Sequence, residues 1–266
     1  MSLKKIKTKI NILNDRNITK DKFNLGIVLW VKIMSITDRR EREKKQRQHD
    51  IINAAEKMFF SRGYDEVSMN DIALEVELSK ATLYLYFQNK KSLFFAIVLK
   101  GTKILNSIIR DKVQKEDIGI DKIAAYRNAY NEFTWNYPDH INIYNYFRSG
   151  RFNFDEDERK TRSNSHNNSI PYVMKCESEI AKLRKERFSI LCRSVQTGLD
   201  DGSIRQDVDP VEVSILLSAI SKSLSNIPTD HMQALKKRGI DSETYFKDVG
   251  DLVQHMIVNW DSKSAV

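Results

Sequence analysis

From Asp50 the apolar positions take a helical period. Ile51, Ile52, Ala55, Met58 and Phe59 recur along one side, and Gly63 stands where a helix needs a left-handed stop. Ser68-Met69-Asn70-Asp71 reads as a capping box opening a second helix to about Val76, with Met69, Ile72, Ala73 and Val76 inward. After Glu77-Leu78, Ser79 caps a third helix over about 80–87, and two short helices joined by so tight a turn form a helix-turn-helix. Asn89 caps a fourth, whose apolar positions Leu93, Phe94, Ile97 and Leu99 continue towards Val113.

In the third helix polar and aromatic groups do not sit opposite an apolar face. Leu83 and Phe87, four apart, can face the first two helices, which leaves Lys80, Ala81, Thr82, Tyr84 and Tyr86 pointing away or sideways. Lys90 and Lys91 open the fourth helix, where cations oppose the helix dipole. A bound phosphate would reverse that sign, because first-turn amides and lysine charge together make an anion site. Two solvated lysines are the other reading.

The rear of the chain continues the helical pattern. Tyr126, Tyr130, Phe133, Trp135, Tyr137, Tyr144, Tyr146, Phe147, Phe152 and Phe154 crowd into one stretch that Pro138 should divide into two helices. Such rings serve as core or enclose an apolar or aromatic ligand, with Arg127, Arg148 and Arg151 as candidates for an anionic group on it. Residues 161–170 read as a polar loop. Val173, Cys176, Ile180, Leu183, Ile190, Val195 and Leu199 then mark a long helix ending near "DDGS", and another starts after Pro210. Their period approaches 3.5, as for helices packed at a shallow angle, within the chain or across a two-fold dimer. A last helix covers about 242–260.

Charge changes this picture. The net charge is +8, and residues 1–100 carry 20 Lys/Arg against 12 Asp/Glu while the remainder balances at 24 against 24. One basic module suggests an anionic partner, nucleic acid or an acidic membrane surface. "RREREKKQRQ" at 39–48 offers six basic groups against two acids, as a solvated first turn of helix one or as an arm along the minor groove. "LGIVLWVKIM" at 25–34 is too short to span a bilayer and no cleavage site follows it. It belongs to an upstream extension of a domain beginning near Met34, or to an extra helix. Cys176 and Cys192 lie on one helix about 24 Å apart and cannot bridge within it. The five histidines lack ligand spacing, so neither metal nor cofactor is expected.

The run "SMNDIALEVELSKATLYLYFQNKKSLFFAIV" resembles the DNA-binding domain of the tetracycline-repressor (TetR/AcrR) regulators over about residues 46–100. The resemblance implies an all-α fold: an extension at 1–37, a three-helix helix-turn-helix domain at 38–100, and a helical effector-binding and dimerisation domain at 101–262. It places Lys80, Ala81 and Thr82 at base edges or adjoining backbone and Tyr84, Tyr86 and Lys90 at phosphates or a base. Ser68 and Ser79, as caps, would meet the backbone. Tyr126, Tyr130, Phe133, Trp135, Tyr144, Phe147, Arg148 and Phe152 are the candidate effector contacts. A cytoplasmic homodimeric repressor is implied, bound to a pseudo-palindromic operator on double-stranded DNA, released by a small-molecule effector and independent of membranes. Glu77 departs from the family's usual Gly in the turn, where a left-handed Glu costs about 1–2 kcal/mol. An all-α enzyme using the aromatic cavity is the alternative of another class, although no glycine-rich phosphate loop, nucleophile elbow or paired carboxylates beyond "DEDE" at 155–158 support it. A membrane-tethered interaction module is a third.

Overall fold

The computed structural model describes residues 20–152, 172–224 and 226–258, and side chains from residue 37 onward. Phe154, "DEDE", the expected loop at 161–170 and Trp260 lie outside these residues. The described residues form ten helices and no strand: α1 Lys20–Arg62, α2 Met69–Glu75, α3 Lys80–Tyr86, α4 Lys90–Val113, α5 Gly119–Asn136, α6 Pro138–Arg148, α7 Tyr172–Asp200, α8 Pro210–Leu224, α9 Thr229–Lys237 and α10 Ser242–Ile257. The fold is all-α as expected. α9 was not anticipated, and its face is wholly without buried residues.

Helix one was expected to begin at Asp50, but α1 runs unbroken from Lys20. Residues 39–48 therefore take the helical reading rather than that of an extended arm. They are Arg, Glu, Lys and Gln, which favour a helix intrinsically. Arg39 Nε donates to Glu43 Oε1 at 2.7 Å and Gln46 Nε2 to Asp50 Oδ1 at 2.9 Å, both one turn apart. The chain separates into two compact units, Met1–Ala54 and Ala55–Val266, so the division falls inside α1. In the first, the described side chains of residues 37–50 are almost all exposed.

In the second unit α4 is the shaft. Leu93 to Val98 are all buried, and further down Leu105, Ile109 and Val113 join a core completed by Tyr126 and Phe133 of α5, Leu191 and Val195 of α7 and Leu217 of α8. Its most apolar window has a mean hydropathy of 1.5, enough by length and composition for a membrane span, yet 67% of that window is buried here as core. α4 packs on α5, α6 and α7, and α7 on α8. Between α7 and α8 the buried positions include Ser194, Ser214, Ser218 and Ser221. The hydroxyls of Ser194 and Ser221 return to the carbonyls of Ile190 and Leu217 one turn back at 2.9 Å, so small side chains leave no unmet polar group.

The start of α5 is held from far away. Its cap residue, Ile118, offers no side-chain acceptor. Instead the Gly119 amide donates to Asp201 Oδ2 at 2.7 Å and the Ile120 amide to Ser203 Oγ at 3.2 Å, both from the turn after α7. The helices touch backbone to backbone here, since a Cβ on Gly119 would lie 2.0 Å from the Gly198 nitrogen. Asp201→Ala should therefore cost about 1 kcal/mol or somewhat more, as the loss of a charged cap does. Asp200→Ala, which loses only an exposed contact with Gln196, should stay within about 0.5 kcal/mol of wild type. Urea denaturation of the pair measures the difference, and equal stabilities would remove Asp201 from the cap.

Candidate nucleic-acid interface and effector cavity

Both short helices are held by their own sequence. The Ser68 hydroxyl accepts from the Asp71 amide at 3.2 Å while Asp71 Oδ2 accepts from the Ser68 amide at 2.8 Å, which holds the Asp71 carboxyl below its usual range. Ser79 Oγ accepts from the Thr82 amide at 3.1 Å and lies 2.8 Å from Thr82 Oγ1. α2 closes in a Schellman turn: the Leu78 amide donates to Ala73 O at 2.9 Å and the Glu77 amide to Leu74 O at 3.1 Å. That turn needs a left-handed residue, and Glu77 takes it with φ 53°, where glycine would fit without strain.

α3 then presents its outer face. Leu83 and the following Phe87 are buried, whereas Ser79, Lys80, Ala81 and Tyr84 are exposed and Thr82 and Tyr86 are half-buried. Leu85 is 81% exposed and Leu74, on α2, 77%. Neither was expected in this surface, but Leu85 stands two residues from buried Leu83 and so cannot share its face.

Lys90 is placed differently from the expectation. Its Nζ donates to the carbonyls of Tyr64 at 2.8 Å and Asp65 at 3.3 Å and sits 4.3 Å from the centre of the Tyr64 ring. The ammonium thus ties the α1–α2 loop to the start of α4 instead of projecting freely to a phosphate. The candidate arginines also divide. Arg151 pairs with Asp65 at 3.1 Å, and Arg127 lies against Gly250 of α10.

A cavity of about 720 Å³ opens between α4, α5, α6 and α8, with Arg187 of α7, the α8–α9 connection and α10 completing it. Of the expected ligand contacts, Tyr130, Phe133, Tyr144 and Arg148 line it. The other four do not. Tyr126 is core beside Tyr130, Trp135 is 48% exposed against Phe246, Phe147 meets the edge of Phe95, and Phe152 stacks on Phe94 at 4.6 Å. The aromatic-rich stretch thus splits between this cavity and a packed cluster around Phe94, because Pro138 turns the chain between α5 and α6.

Sequence reading passed over Arg187, Lys222 and His140 on the cavity wall. Arg187 was legible in principle, as it occupies the buried stripe of Cys176, Ile180, Leu183 and Ile190, where a charge is out of place. His140 Nε2 lies 3.3 Å from Glu56 Oε1, and Glu56 Oε2 accepts from Lys100 Nζ, so α1, α4 and α6 meet at one ionic cluster. Neither His140 Nδ1 nor Glu56 Oε1 has a hydrogen-bond partner among the described residues. Burial pushes the His140 imidazole below its ordinary value; Glu56 and Asp139 oppose this and Lys100 adds to it.

Residues 51–97 match the family described as bacterial regulatory proteins, tetR family. They form a TetR-family regulatory domain. The biofilm operon icaADBC HTH-type negative transcriptional regulator IcaR of Staphylococcus aureus is 37% identical over 76 residues, 29% of this chain and 41% of that protein, so the chain spans about two fifths of this curated relative. A TetR/AcrR regulator from Thermobifida fusca shares the fold with TM-score 0.59 at 18% identity, over 79% of this chain and 97% of its own. AibR, in complex with isovaleryl coenzyme A and operator DNA, does so with TM-score 0.55 at 18% identity, over 77% and 97%. The TetR fold thus extends well beyond the matched domain.

Two measurements follow from this geometry. Glu77→Gly should raise stability by about 1 kcal/mol by relieving the left-handed residue, whereas Lys90→Met should lower it by roughly 1.5–3 kcal/mol through loss of charged hydrogen bonds to two carbonyls; urea denaturation reads both signs. His140 binds its proton less readily in the folded than in the unfolded chain, so its contribution is present above the unfolded value of 6.5 and lost as pH falls from there through the lower folded value. The melting temperature of the wild type should therefore fall more steeply below pH 6.5 than that of His140→Gln, and parallel profiles would show that His140 is not the group.

Proposed function

We propose that the protein is a dimeric transcription repressor that binds operator DNA through α3 and is released by a small molecule in the 720 Å³ cavity. The observation that carries this reading is the outward face of α3, capped at both its own start and that of α2, within a TetR-family domain. In this reading α3 enters the major groove, with Lys80, Ala81 and Thr82 towards base edges, Tyr84 and Tyr86 towards the backbone, and exposed Leu85 available to thymine methyl groups. Ser68 and Ser79 approach phosphates at the helix starts. Lys90 acts by positioning the α1–α2 loop. The basic, exposed helical stretch at 39–48 adds to the electrostatic attraction.

A pseudo-palindromic site requires two reading heads. Val211, Ile215 and Leu216 form an exposed apolar stripe on α8, 47%, 58% and 42% exposed, which suits pairing with a second copy. The IcaR relative is a negative regulator and the AibR structure holds both operator DNA and an acyl thioester, which favours repression relieved by ligand. Such a repressor acts in the cytoplasm, without cofactor or membrane. Coupling would run through His140, which lines the cavity, to Glu56 on the helix that leads into the reading head. By reciprocity operator DNA and ligand weaken each other by one common factor, typically about 5- to 150-fold.

Genome-wide footprinting of the purified protein defines the operator, and titrations then test the face. Tyr84→Phe and Lys80→Ala should each weaken binding while leaving the melting temperature unchanged, and Lys80→Ala should also reduce the slope of log K against log salt by about one per subunit. Folded variants with wild-type affinity and slope would take α3 out of the interface.

A further inference from the structure

Among the described residues, the cavity wall carries positive charge with no acid beside it. Arg187 is only 5% exposed, and its guanidinium meets neutral partners: Nη1 donates to Asn106 Oδ1 at 3.0 Å, and its carbon lies 5.7 Å from the Tyr130 ring centre. Asn106 is itself buried and fixed, its amide donating to the Leu183 carbonyl at 2.8 Å, so it holds the arginine without neutralising it. Arg148 of α6 and Lys222 of α8 line the same cavity. No carboxylate lines it among the described residues, and none of their ion pairs involves Arg148, Arg187 or Lys222. Burial, and then the nearness of Arg148, Arg187 and Arg184, push the Lys222 ammonium below its ordinary value.

Cations gathered in this way repel one another, and a buried guanidinium without a counter-charge is costly. Natural interiors pair such a group, and here no acid is paired with it among the described residues. The rest of the wall is apolar and aromatic, with Val98, Leu105, Phe133, Ile220 and Val249 facing the space. A second polar group also waits for a partner, since His140 Nδ1 is unpaired and buried beside Gly101 on the wall.

We infer that the cavity binds an amphipathic organic anion, its carboxylate or phosphate held by Arg187, Lys222 and Arg148 and its apolar body lying against α4 and α5. Arg187 offers a planar fork suited to either head group. Lys222 and Arg148, more exposed, close over it from the α8 and α6 sides. A neutral ligand of the same shape would leave the three cations facing one another. This deepens the effector reading of the cavity, and binding can be measured with no DNA present.

The test uses the full chain and three probes of one tail length: decanoate, decyl phosphate and decanol, titrated by calorimetry. At least one of the two anions should bind at least tenfold more tightly than decanol, and comparing them distinguishes a carboxylate site from a phosphate site. Lys222→Met and Arg148→Met, at exposed positions that leave the core intact, should each weaken the anion at least tenfold and leave decanol unchanged. Arg187→Met should abolish the preference if it folds; if it does not, the two exposed variants decide alone. Equal binding of decanol and the anions, undiminished anion binding in both exposed variants, or binding of none of the three probes would overturn the inference. Anion binding that leaves operator affinity unchanged would uphold it and count against the regulatory reading instead.

Discussion

The burial of α4 is the constraint on which the second unit depends. Six consecutive side chains, Leu93 to Val98, are buried, which no amphipathic surface helix could show. Each large side chain among them contributes about 1.5–3 kcal/mol by leaving water. To cover all sides at once, the end of α1 with Phe59, then α6 and then α5 and α7 must close round the same shaft. The start of α4 therefore follows directly on α3 while its middle forms a wall of the cavity. Any ligand that presses on Val98, Gly101 or Leu105 presses on the helix that Lys90 anchors to the α1–α2 loop.

The polar interior is concentrated where these helices meet, and it separates into two kinds. Glu56, Lys100 and His140 form a nearly compensated cluster, with one acid shared between an ammonium and an imidazole that burial keeps reluctant to charge. Arg187 is of the other kind, braced by the Asn106 amide and the Tyr130 ring with no acid paired to it among the described residues. A compensated cluster confers orientation at little cost, whereas an uncompensated one leaves free energy to be gained by an incoming anion. His140 of the first and Arg187 of the second line the same cavity, so both kinds of polar group face it.

The helix-turn-helix half was legible because its devices are local. Ser68, Ser79 and Asn89 each cap a helix through an amide three residues ahead, and Gly63 stops α1 with φ +81°. Such interactions are written in consecutive residues, so reading them needs no tertiary knowledge. The same holds for Pro138 at the first position of α6 and for the buried stripe of α7. The start of α1 escaped because the reading followed apolar period, whereas a solvated stretch of Arg, Glu, Lys and Gln is helical by propensity and by pairs one turn apart.

What the chain alone determined, then, was the all-α class, the capped pair α2 and α3, and the outward face of Lys80, Ala81 and Tyr84. Only the tertiary structure decided which groups far apart in sequence meet. Lys90 finds carbonyls 25 and 26 residues earlier, and the amides opening α5 find Asp201 and Ser203 more than 80 residues later. It also decided which aromatic rings line the cavity and which stack on Phe94, and it brought Arg187, Lys222 and Arg148 to one cavity with no acid among its described lining residues. Helical period reports that a side chain turns inward; what it meets there depends on how separate helices pack, and only that packing fixes the charge left over.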